Sequence, residues 1–490
     1  MEEDNQSSPK LPIHGKRNIL ITSALPKVNN VPHLGSIIGC VLSADVYARF
    51  CRLRGYNAIY VCGTDEYGTA TETKALEQNC IPREIYLYCD TCERFLPDRL
   101  IEGSCPFEGC DNDSARGDEC EECENDLINP TYLRDPWCKV CQTIPRARNA
   151  DELVIEFSDL KDKFEKYFNE SVTGSWSQNT IQTTNTWLEQ GLVNRSITRD
   201  LRWGVPVPHE NYEDKWWKNP ENVELCQFIG KDNVPFHTVL FPSMQLGTGE
   251  NWTMMKTISV TEYLNYEDGY FSKSKGVGVF GNVVRDTNIP VEVWRYYLLI
   301  NRPEVSATSF EWKDLQRNLN NKLLTNLGNF VNRVQCFIAK PESQGYGFVI
   351  PDAPGADSHL PTMSLCKKVG KLVKEYVEAM GKETQYWRLY KEDKPCCAVV
   401  IRSAVGLTHL LAQLLEPFMP SFSREVFKQL NLPPPHFSFS HERGEVLQAC
   451  RPWEILPPSH RIGTPQPLFK ELINEEVKLY KEKFAGSQTE

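Results

Sequence analysis

Ile19-Leu20-Ile21-Thr22-Ser23-Ala24-Leu25-Pro26-Lys27-Val28-Asn29-Asn30-Val31-Pro32-His33-Leu34-Gly35-Ser36 is the stretch whose reading decides the fold. Its first seven residues are mostly apolar and rich in β-formers, the pattern of a buried strand. Pro26 to Pro32 is turn chemistry. From His33 the pattern becomes helical and runs to Arg54, where Gly55 offers a stop. Ala58-Ile59-Tyr60-Val61-Cys62 is a second buried strand. Strand, turn, helix and strand make one βαβ unit, so the expected class is α/β, with a parallel, doubly wound sheet of Rossmann type.

Outward from that unit the texture changes. Cys89 to Gln142 is rich in Cys, Asp, Glu and Gly and has little period of either kind. Residues 143–300 return to mixed α/β texture. From Trp312 the residues Leu315, Leu319, Leu323, Leu327, Phe330, Val331, Val334 and Phe337 recur mostly at strides of three and four, the stripe of a long amphipathic helix. Ala398 to Leu415 is a second apolar helix, ended by Pro417 and Pro420, and Leu468 to Phe484 reads as a charged terminal helix. The expected division is a disordered lead-in at 1–17, the first half of the α/β domain at 18–88, a cysteine insert at 89–142, the second half at 143–311, a helical domain at 312–440, and a Pro-rich connector with terminal helix at 441–490.

The 490 residues suffice for several domains and rule out a peptide-sized module. A formal charge of -11 speaks against a basic protein that coats nucleic acid. The distribution weakens that exclusion, because residues 89–142 hold 14 Asp/Glu against 5 Lys/Arg and account for most of the excess. Residues 1–17 carry no apolar secretory run, and no stretch reaches the ~18 consecutive apolar residues of a membrane span, so no membrane partner is expected. A reducing, cytosolic compartment follows, where thiols hold metal or stay free.

Eight of the 18 cysteines fall in the insert as Cys89/Cys92, Cys105/Cys110, Cys120/Cys123 and Cys138/Cys141. Three pairs are C-x-x-C, the spacing with which one tight turn grips a tetrahedral zinc, and the fourth is wider but within the ligand range. Without a histidine in the segment, two structural four-cysteine zinc sites are expected; which pairs combine is left open.

Two other stretches suit phosphate. A helix start has unpaired N–H groups and a positive dipole end, and His33 and Ser36 lie there one turn apart, with Gly35 allowing close backbone approach. Gly269-Tyr270-Phe271-Ser272-Lys273-Ser274-Lys275-Gly276 is a Gly-flanked Ser/Lys loop that can place an ammonium on a polyphosphate. No G-x-x-x-x-G-K-[ST] sequence occurs, which disfavours a P-loop ATPase.

Together these pieces resemble the class I aminoacyl-tRNA synthetases, whose two signatures correspond to His33-Leu34-Gly35-Ser36 and Tyr270-Phe271-Ser272-Lys273-Ser274. Ala24-Leu25-Pro26, Gly63-Thr64-Asp65-Glu66-Tyr67-Gly68, Ile197-Thr198-Arg199-Asp200-Leu201, Gly230-Lys231-Asp232-Asn233-Val234-Pro235-Phe236-His237, Glu262-Tyr263-Leu264-Asn265-Tyr266 and the four knuckles resemble the methionyl-tRNA synthetase family. The tail Pro457-Pro458-Ser459-His460-Arg461-Ile462-Gly463-Thr464 is similar to its plant cytosolic type. The resemblance implies a Rossmann catalytic domain, a zinc-knuckle insert and a helical anticodon-binding bundle. It implies ATP-dependent activation of methionine and transfer to tRNA(Met), with ATP and Mg as substrate. By the same resemblance, His33 and Lys273 are catalytic, and Ser36, Gly230, Asp232, Ser272 and Ser274 join them at ATP. Ala24, Leu25, Asp65, Arg199 and His237 hold methionine, and Asn329, Arg333 and Trp387 read the anticodon. A multisynthetase scaffold is a further candidate partner.

The chain departs from that pattern. Lys27 stands where the family has tyrosine, Ser36 where it has His or Asn, and Tyr270 where it has the first loop lysine. Sequence is also skipped after Glu84-Ile85, between Lys215 and Trp216, and around Ala379-Met380-Gly381, where the resemblance implies further strand, pocket-wall and helix segments. Loss of a central strand would leave unpaired backbone and an open core. Impaired methionine activation is therefore expected. The alternatives are a non-catalytic tRNA-binding or assembly isoform of the family, and an unrelated zinc-ribbon nucleic-acid binder.

Overall fold

Residues Asn18–Ser23 form β1, and alternate side chains of it face opposite layers of the molecule. The computed structural model describes residues 10–26, 31–65, 87–92, 94–96, 101–107, 109–116, 120, 123, 133–147, 154–155, 157–173, 176–189, 195–196, 213–272, 276–360, 362–364, 394–433 and 451–486. After β1 comes helix α1, Leu34–Leu53, whose turns over Ile37–Leu42 are of the wider π type. β2 is Asn57–Val61, β3 is Val223–Gly230 and β4 is Met255–Thr261. The four strands are parallel, in the order β4-β3-β1-β2.

Both faces of this sheet are covered, as a parallel sheet requires. Ile19 and Ile21 of β1 and Cys226 and Phe228 of β3 pack with Ala44, Ala48 and Cys51 of α1. Leu20, Leu225 and Ile229 point the other way, into a core with Phe164, Tyr167 and Phe168 of α2, Phe157–Ser171. The period-2 register explains why one short strand serves two cores. Next on that face come α3, Gln178–Glu189, and α4, Phe241–Thr248.

Beyond the sheet, β5 (Leu264–Tyr266) pairs with β6 (Thr308–Phe310). Among the described residues the further α-helices are α5 (Val291–Ile300), α6, α7 (Lys394–Leu415), α8 (Pro420–Gln429) and α9 (Asn474–Lys483). α6 runs continuously through Trp312–Arg317, a π-type stretch Asn318–Gly328, and Asn329–Ala339. One hydrophobic core joins α1, α5, α6, α7, α8 and α9. Its centre is aromatic: Trp312 meets Phe310 and Trp294 edge-on, stacks on Phe484, and donates from Nε1 to Tyr266 Oη at 2.8 Å. Charges bind the same parts. Asp45 of α1 meets Arg49 at 3.0 Å and Arg295 of α5 at 2.7 Å, and Arg49 meets Glu416 after α7 at 2.8 Å.

The cysteine insert folds as two small antiparallel sheets. Leu87–Cys89 lies between Arg94–Leu96 and Arg146–Ala147, and Ile101–Ser104 lies between Ala115–Arg116 and Arg134–Cys138.

Several expectations change. Residues 10–17 are not a structureless lead-in. Asn57 Nδ2 donates to Leu11 O, Asn18 Nδ2 to Ile13 O, and Trp216 Nε1 to Lys10 O, so polar side chains at the strand starts pin this segment. The sheet is not broken in its middle: each strand pairs with its neighbour, with one register shift at Leu225/Cys226, and β2 is its edge among the described residues. The junction at Lys215–Trp216 is closed by Trp216, which is fully buried, with Thr253 donating to its carbonyl at 3.0 Å. The skip around Ala379 lies outside the described residues, as does Ile85. Pro420 opens α8 rather than ending α7. The terminal helix starts at Asn474, not Leu468. The backbone at Leu472 is held extended by Asn320, which accepts from its N–H and donates to its carbonyl. This tail belongs to the helical core, where Phe469, Leu472, Val477 and Tyr480 are buried.

Two helices, Leu34–Leu53 and Pro395–Leu415, are long and apolar enough to cross a bilayer. Each carries a charge in mid-span with a protein partner, Asp45 with Arg295 in the first and Arg402 with Asp352 in the second, and each packs in a core.

Candidate functional site: a nucleotide-type cleft and two thiolate clusters

The sheet fixes where ligands bind. β1 to β2 steps one way along it and β3 to β4 steps the other, so the topological switch point lies between β1 and β3. A cavity of about 450 Å³ opens there, at the carboxyl ends of the strands. Ala24, Leu25 and Pro26 follow β1, Asp65 follows β2, Gly230 ends β3 and Asp232 follows it, and Tyr263 follows β4; all line it, with His33 and Ser36 at the start of α1.

His33 is the N-cap of α1. Its Nδ1 accepts from the N–H groups of Gly35 at 3.1 Å and Ser36 at 3.4 Å, and its Nε2 lies 3.1 Å from Ser36 Oγ. Gly35 makes this possible, because a Cβ there would sit 2.9 Å from His33 Cε1. The ring stacks on Phe271 with centroids 4.9 Å apart. The two phosphate-type stretches, distant in sequence, are thus in contact. The Ser/Lys loop is bracketed by reciprocal backbone bonds between Ser272 and Val277. Tyr270 is exposed.

Opposite His33, Tyr263 Oη donates to Asp232 Oδ1 at 2.6 Å, and this bond pushes the Tyr263 hydroxyl up to about 12. Lys231 lies over the Tyr263 ring at 4.0 Å and pairs with Glu262 at 3.2 Å. No Cβ-distance neighbour approaches Gly230, which leaves backbone open to a ligand. Asp65 is tied to the β1 turn by its N–H, donated to Pro26 O at 2.8 Å.

Structure and expectation differ at His237. It does not line the cavity; its Nδ1 lies 3.2 Å from Gln227 Oε1 of β3, and burial draws its pKa down to about 4. Lys27, Arg199, Lys273, Ser274 and Trp387 lie outside the described residues. Asn329 and Arg333 share one face of α6, Arg333 exposed, away from buried Val331, Val334 and Ile338. Phe271 and Tyr263 were missed as site residues. Both stand inside stretches that carry the family resemblance, and the rule that strand ends converge at a switch point singles out Tyr263.

The eight insert cysteines form two clusters, Cys89/Cys92/Cys138/Cys141 and Cys105/Cys110/Cys120/Cys123, each with its sulfurs within 4.8 Å of one another. The pairing is nested: outer pairs combine, and inner pairs combine. Sulfurs at 3.3 to 3.9 Å bracket the roughly 3.8 Å edge of a tetrahedron with 2.3 Å metal–sulfur bonds, so the donors fit a tetrahedral dication. Burial, then neighbouring thiols, push the Cys92 thiol up, whereas the Thr143 hydroxyl draws Cys141 down. Four such thiols become thiolates together only around a cation.

Comparison with known proteins follows this geometry. The family model of class I tRNA synthetases (M) matches residues 19–87, 85–215 and 209–335, and that of the anticodon binding domain of methionyl tRNA ligase matches 371–489. The first model is interrupted near both skips of the α/β domain. The cytoplasmic methionine–tRNA ligase of Arabidopsis thaliana is 64% identical over all of this chain and 74% of its own length. A probable methionine–tRNA ligase of Oryza sativa subsp. japonica is 55% identical over 98% of this chain and 73% of its own length. The Arabidopsis alignment runs over 591 positions against 490 residues here, so about a hundred of its positions have no counterpart. A Mycobacterium tuberculosis methionyl-tRNA synthetase in complex with methionyl-adenylate shares the fold, with a TM-score of 0.62, 17% identity, and coverage of 92% of this chain and 99% of its own. Sheet order, joined signature stretches, nested cysteines and two family models agree: the chain belongs to the class I methionyl-tRNA synthetases.

Proposed function

We propose that the chain acts as a methionine–tRNA ligase, activating L-methionine with ATP and passing the aminoacyl group to tRNA(Met). The observation that carries this reading is the His33–Phe271 stack, which sets the Ser/Lys stretch against the helix start that lines the cavity at the switch point. In the first step a methionine carboxylate oxygen attacks the α-phosphorus of ATP. A P–O bond to the carboxylate forms, the bond to pyrophosphate breaks, and pyrophosphate leaves with the electron pair. Charge grows on the phosphate oxygens between these events.

His33 and Ser36 meet that charge from the helix start, and Lys273, flanked by Ser272 and Ser274, meets it from the loop. Because Nδ1 of His33 accepts backbone N–H groups, the neutral ring carries its proton on Nε2, which lies 3.1 Å from Ser36 Oγ, so the two side chains act on the phosphate as a hydrogen-bonded pair. Gly230 and Asp232 hold the ribose, with Asp232 oriented by Tyr263. Asp65 receives the α-ammonium with Arg199 as its charge partner, Ala24 and Leu25 receive the side chain, and His237 supports that pocket from outside the cavity. Asn329, Arg333 and Trp387 read the anticodon, Trp387 by stacking. Zinc fills both cysteine clusters as a structural ion, and Mg accompanies ATP. Relatives named cytoplasmic support a cytosolic location, and a multisynthetase scaffold is a further proposed partner.

Methionine-dependent ATP–pyrophosphate exchange tests the reading. Exchange falling about a hundredfold in His33→Ala supports it; equal exchange in the variant rejects it. The unmatched positions favour a second reading, in which activation is weaker than in an unshortened relative or lost while tRNA binding is kept. Binding of tRNA(Met) without exchange supports that reading, and turnover equal to the unshortened relative rejects it.

A further inference from the structure

Away from the cleft, in the segment that precedes and opens α7, three side chains make a second chemical constellation. Cys396 Sγ lies 3.2 Å from His359 Nε2, and His359 Nδ1 lies 2.8 Å from Thr362 Oγ1. Thr362 is buried and Cys396 is partly exposed, in the first turn of α7. A nucleophile within hydrogen-bond reach of a base, with the base oriented by a third group, is the arrangement that activates a thiol. The helix N-terminus adds a positive dipole end beside the sulfur, which favours thiolate. Neither the cleft nor the metal clusters use these residues.

We propose that Cys396 is a redox-modification site that forms mixed disulfides with small-molecule disulfides, with His359 as its base and Thr362 as the residue that positions His359. In the tautomer required, Nδ1–H donates to Thr362 Oγ1 and Nε2 accepts the thiol proton. The Cys396 thiolate then attacks one sulfur of R–S–S–R. The Cys396–S–S–R bond forms as the R–S–S–R bond breaks, and the departing thiolate takes the proton from His359 to leave as RSH. Cys396 is oxidised and the released half of the disulfide is reduced, so no further oxidant enters.

The chain supplies its own controls. Cys336 and Cys62 are more exposed than Cys396, but the Cys336 thiol donates to Asn332 Oδ1 at 3.4 Å, with no base there, and burial pushes its thiol up. The adjacent Cys397 is fully buried. If exposure ruled, Cys336 and Cys62 would react first; if the dyad rules, Cys396 does.

The full chain, with its knuckles metal-loaded, is incubated near neutral pH with glutathione disulfide and, in parallel, with iodoacetamide. Peptide mass spectrometry then reads each cysteine over time. The expected result is roughly tenfold faster modification of Cys396 than of Cys336 and Cys62, as a larger thiolate fraction at the dyad gives. His359→Gln is expected to bring Cys396 down to the Cys336 rate and leave Cys336 unchanged. Modification of Cys396 no faster than Cys336 in the unaltered chain overturns the proposal, as does label on Cys397 instead. A His359→Gln variant in which Cys396 keeps its rate and Cys397 stays silent also overturns it. Where that variant unfolds, reported by labelling of Cys397, the comparison within the unaltered chain decides.

Discussion

The insert and the helical core hold themselves together by different means. In the insert the buried cluster has, among the described residues, seven members: four cysteines with Ile101, Ala115 and Leu133. In the core that surrounds Trp312, dozens of aliphatic and aromatic side chains from five helices and α1 share the burial. The first region concentrates its stability in two ligand sets; the second spreads it. A single substitution should therefore be decisive in one and graded in the other, and the same contrast says where a metal matters and where it does not.

The sharpest way to break that contrast is Cys138→Ser. It is expected to release one of two metal equivalents and to open the cluster with Cys89, Cys92 and Cys141, because structural zinc supplies an apparent ~10–16 kcal/mol to small domains that lack a core. Elemental analysis with limited proteolysis reads this, and a chain that keeps two equivalents and an uncut 89–142 segment sinks the idea. In the core, Trp312→Ala is expected to lower stability by about 3–5 kcal/mol while metal content stays constant. Urea denaturation measures it, and coupled loss of metal would erase the distinction between the regions.

A smaller, pH-dependent effect comes from His409. Burial draws its pKa down to about 4, and Nδ1 finds no hydrogen-bond partner among the described residues. The unfolded chain binds the proton near 6.5, so this group destabilises the fold as pH falls from about 6.5 to 4 and contributes no slope above that window. The loss approaches about 3 kcal/mol at the acid end. His409→Gln is expected to flatten the difference in urea midpoints between pH 7 and pH 5, and an unchanged difference would remove the histidine from the account. The smallest effect tests the cleft. Gly35→Ala drives a methyl against the His33 ring and is expected to lower pyrophosphate exchange roughly tenfold with little change in melting temperature. Unaltered exchange would mean that the cap geometry is irrelevant to the chemistry.

What the sequence discloses follows the range of the forces involved. Ile19 to Ser36 is legible because strand, turn and capped helix are each set by near neighbours, and a parallel sheet then follows from chirality. Three C-x-x-C spacings disclose metal-type chemistry for the same reason. The nested pairing of Cys89 with Cys138 is not legible, since spacing within pairs says nothing about which pairs meet. Leu468 to Ile473 reads as helical by composition, but the N–H and carbonyl of Leu472 are taken by Asn320 on α6, a partner some 150 residues away. His237 belongs to the Gly230–His237 motif yet lies 3.2 Å from Gln227 of β3 and off the cavity lining, because the helical turn Phe236–Leu240 that carries it packs back on the strand. The edge position of β2 could not be read either, as strand order is a property of the whole sheet.

One feature of the tail reaches the chemistry. Phe484 stacks on Trp312 and accepts from Gly278 N–H at 3.0 Å, and Val277 bridges to Ala485, so the stem of the Ser/Lys loop is braced by residues about two hundred positions downstream. At about 5–20 residues per second, synthesis leaves that stem without its brace for roughly 10–40 seconds after it has been made. A nascent chain on the ribosome thus carries its first phosphate-handling stretch, its sheet and its loop well before the loop is fastened. Fastening of the loop stem therefore waits on the synthesis of Phe484 and Ala485, however early the sheet itself has formed.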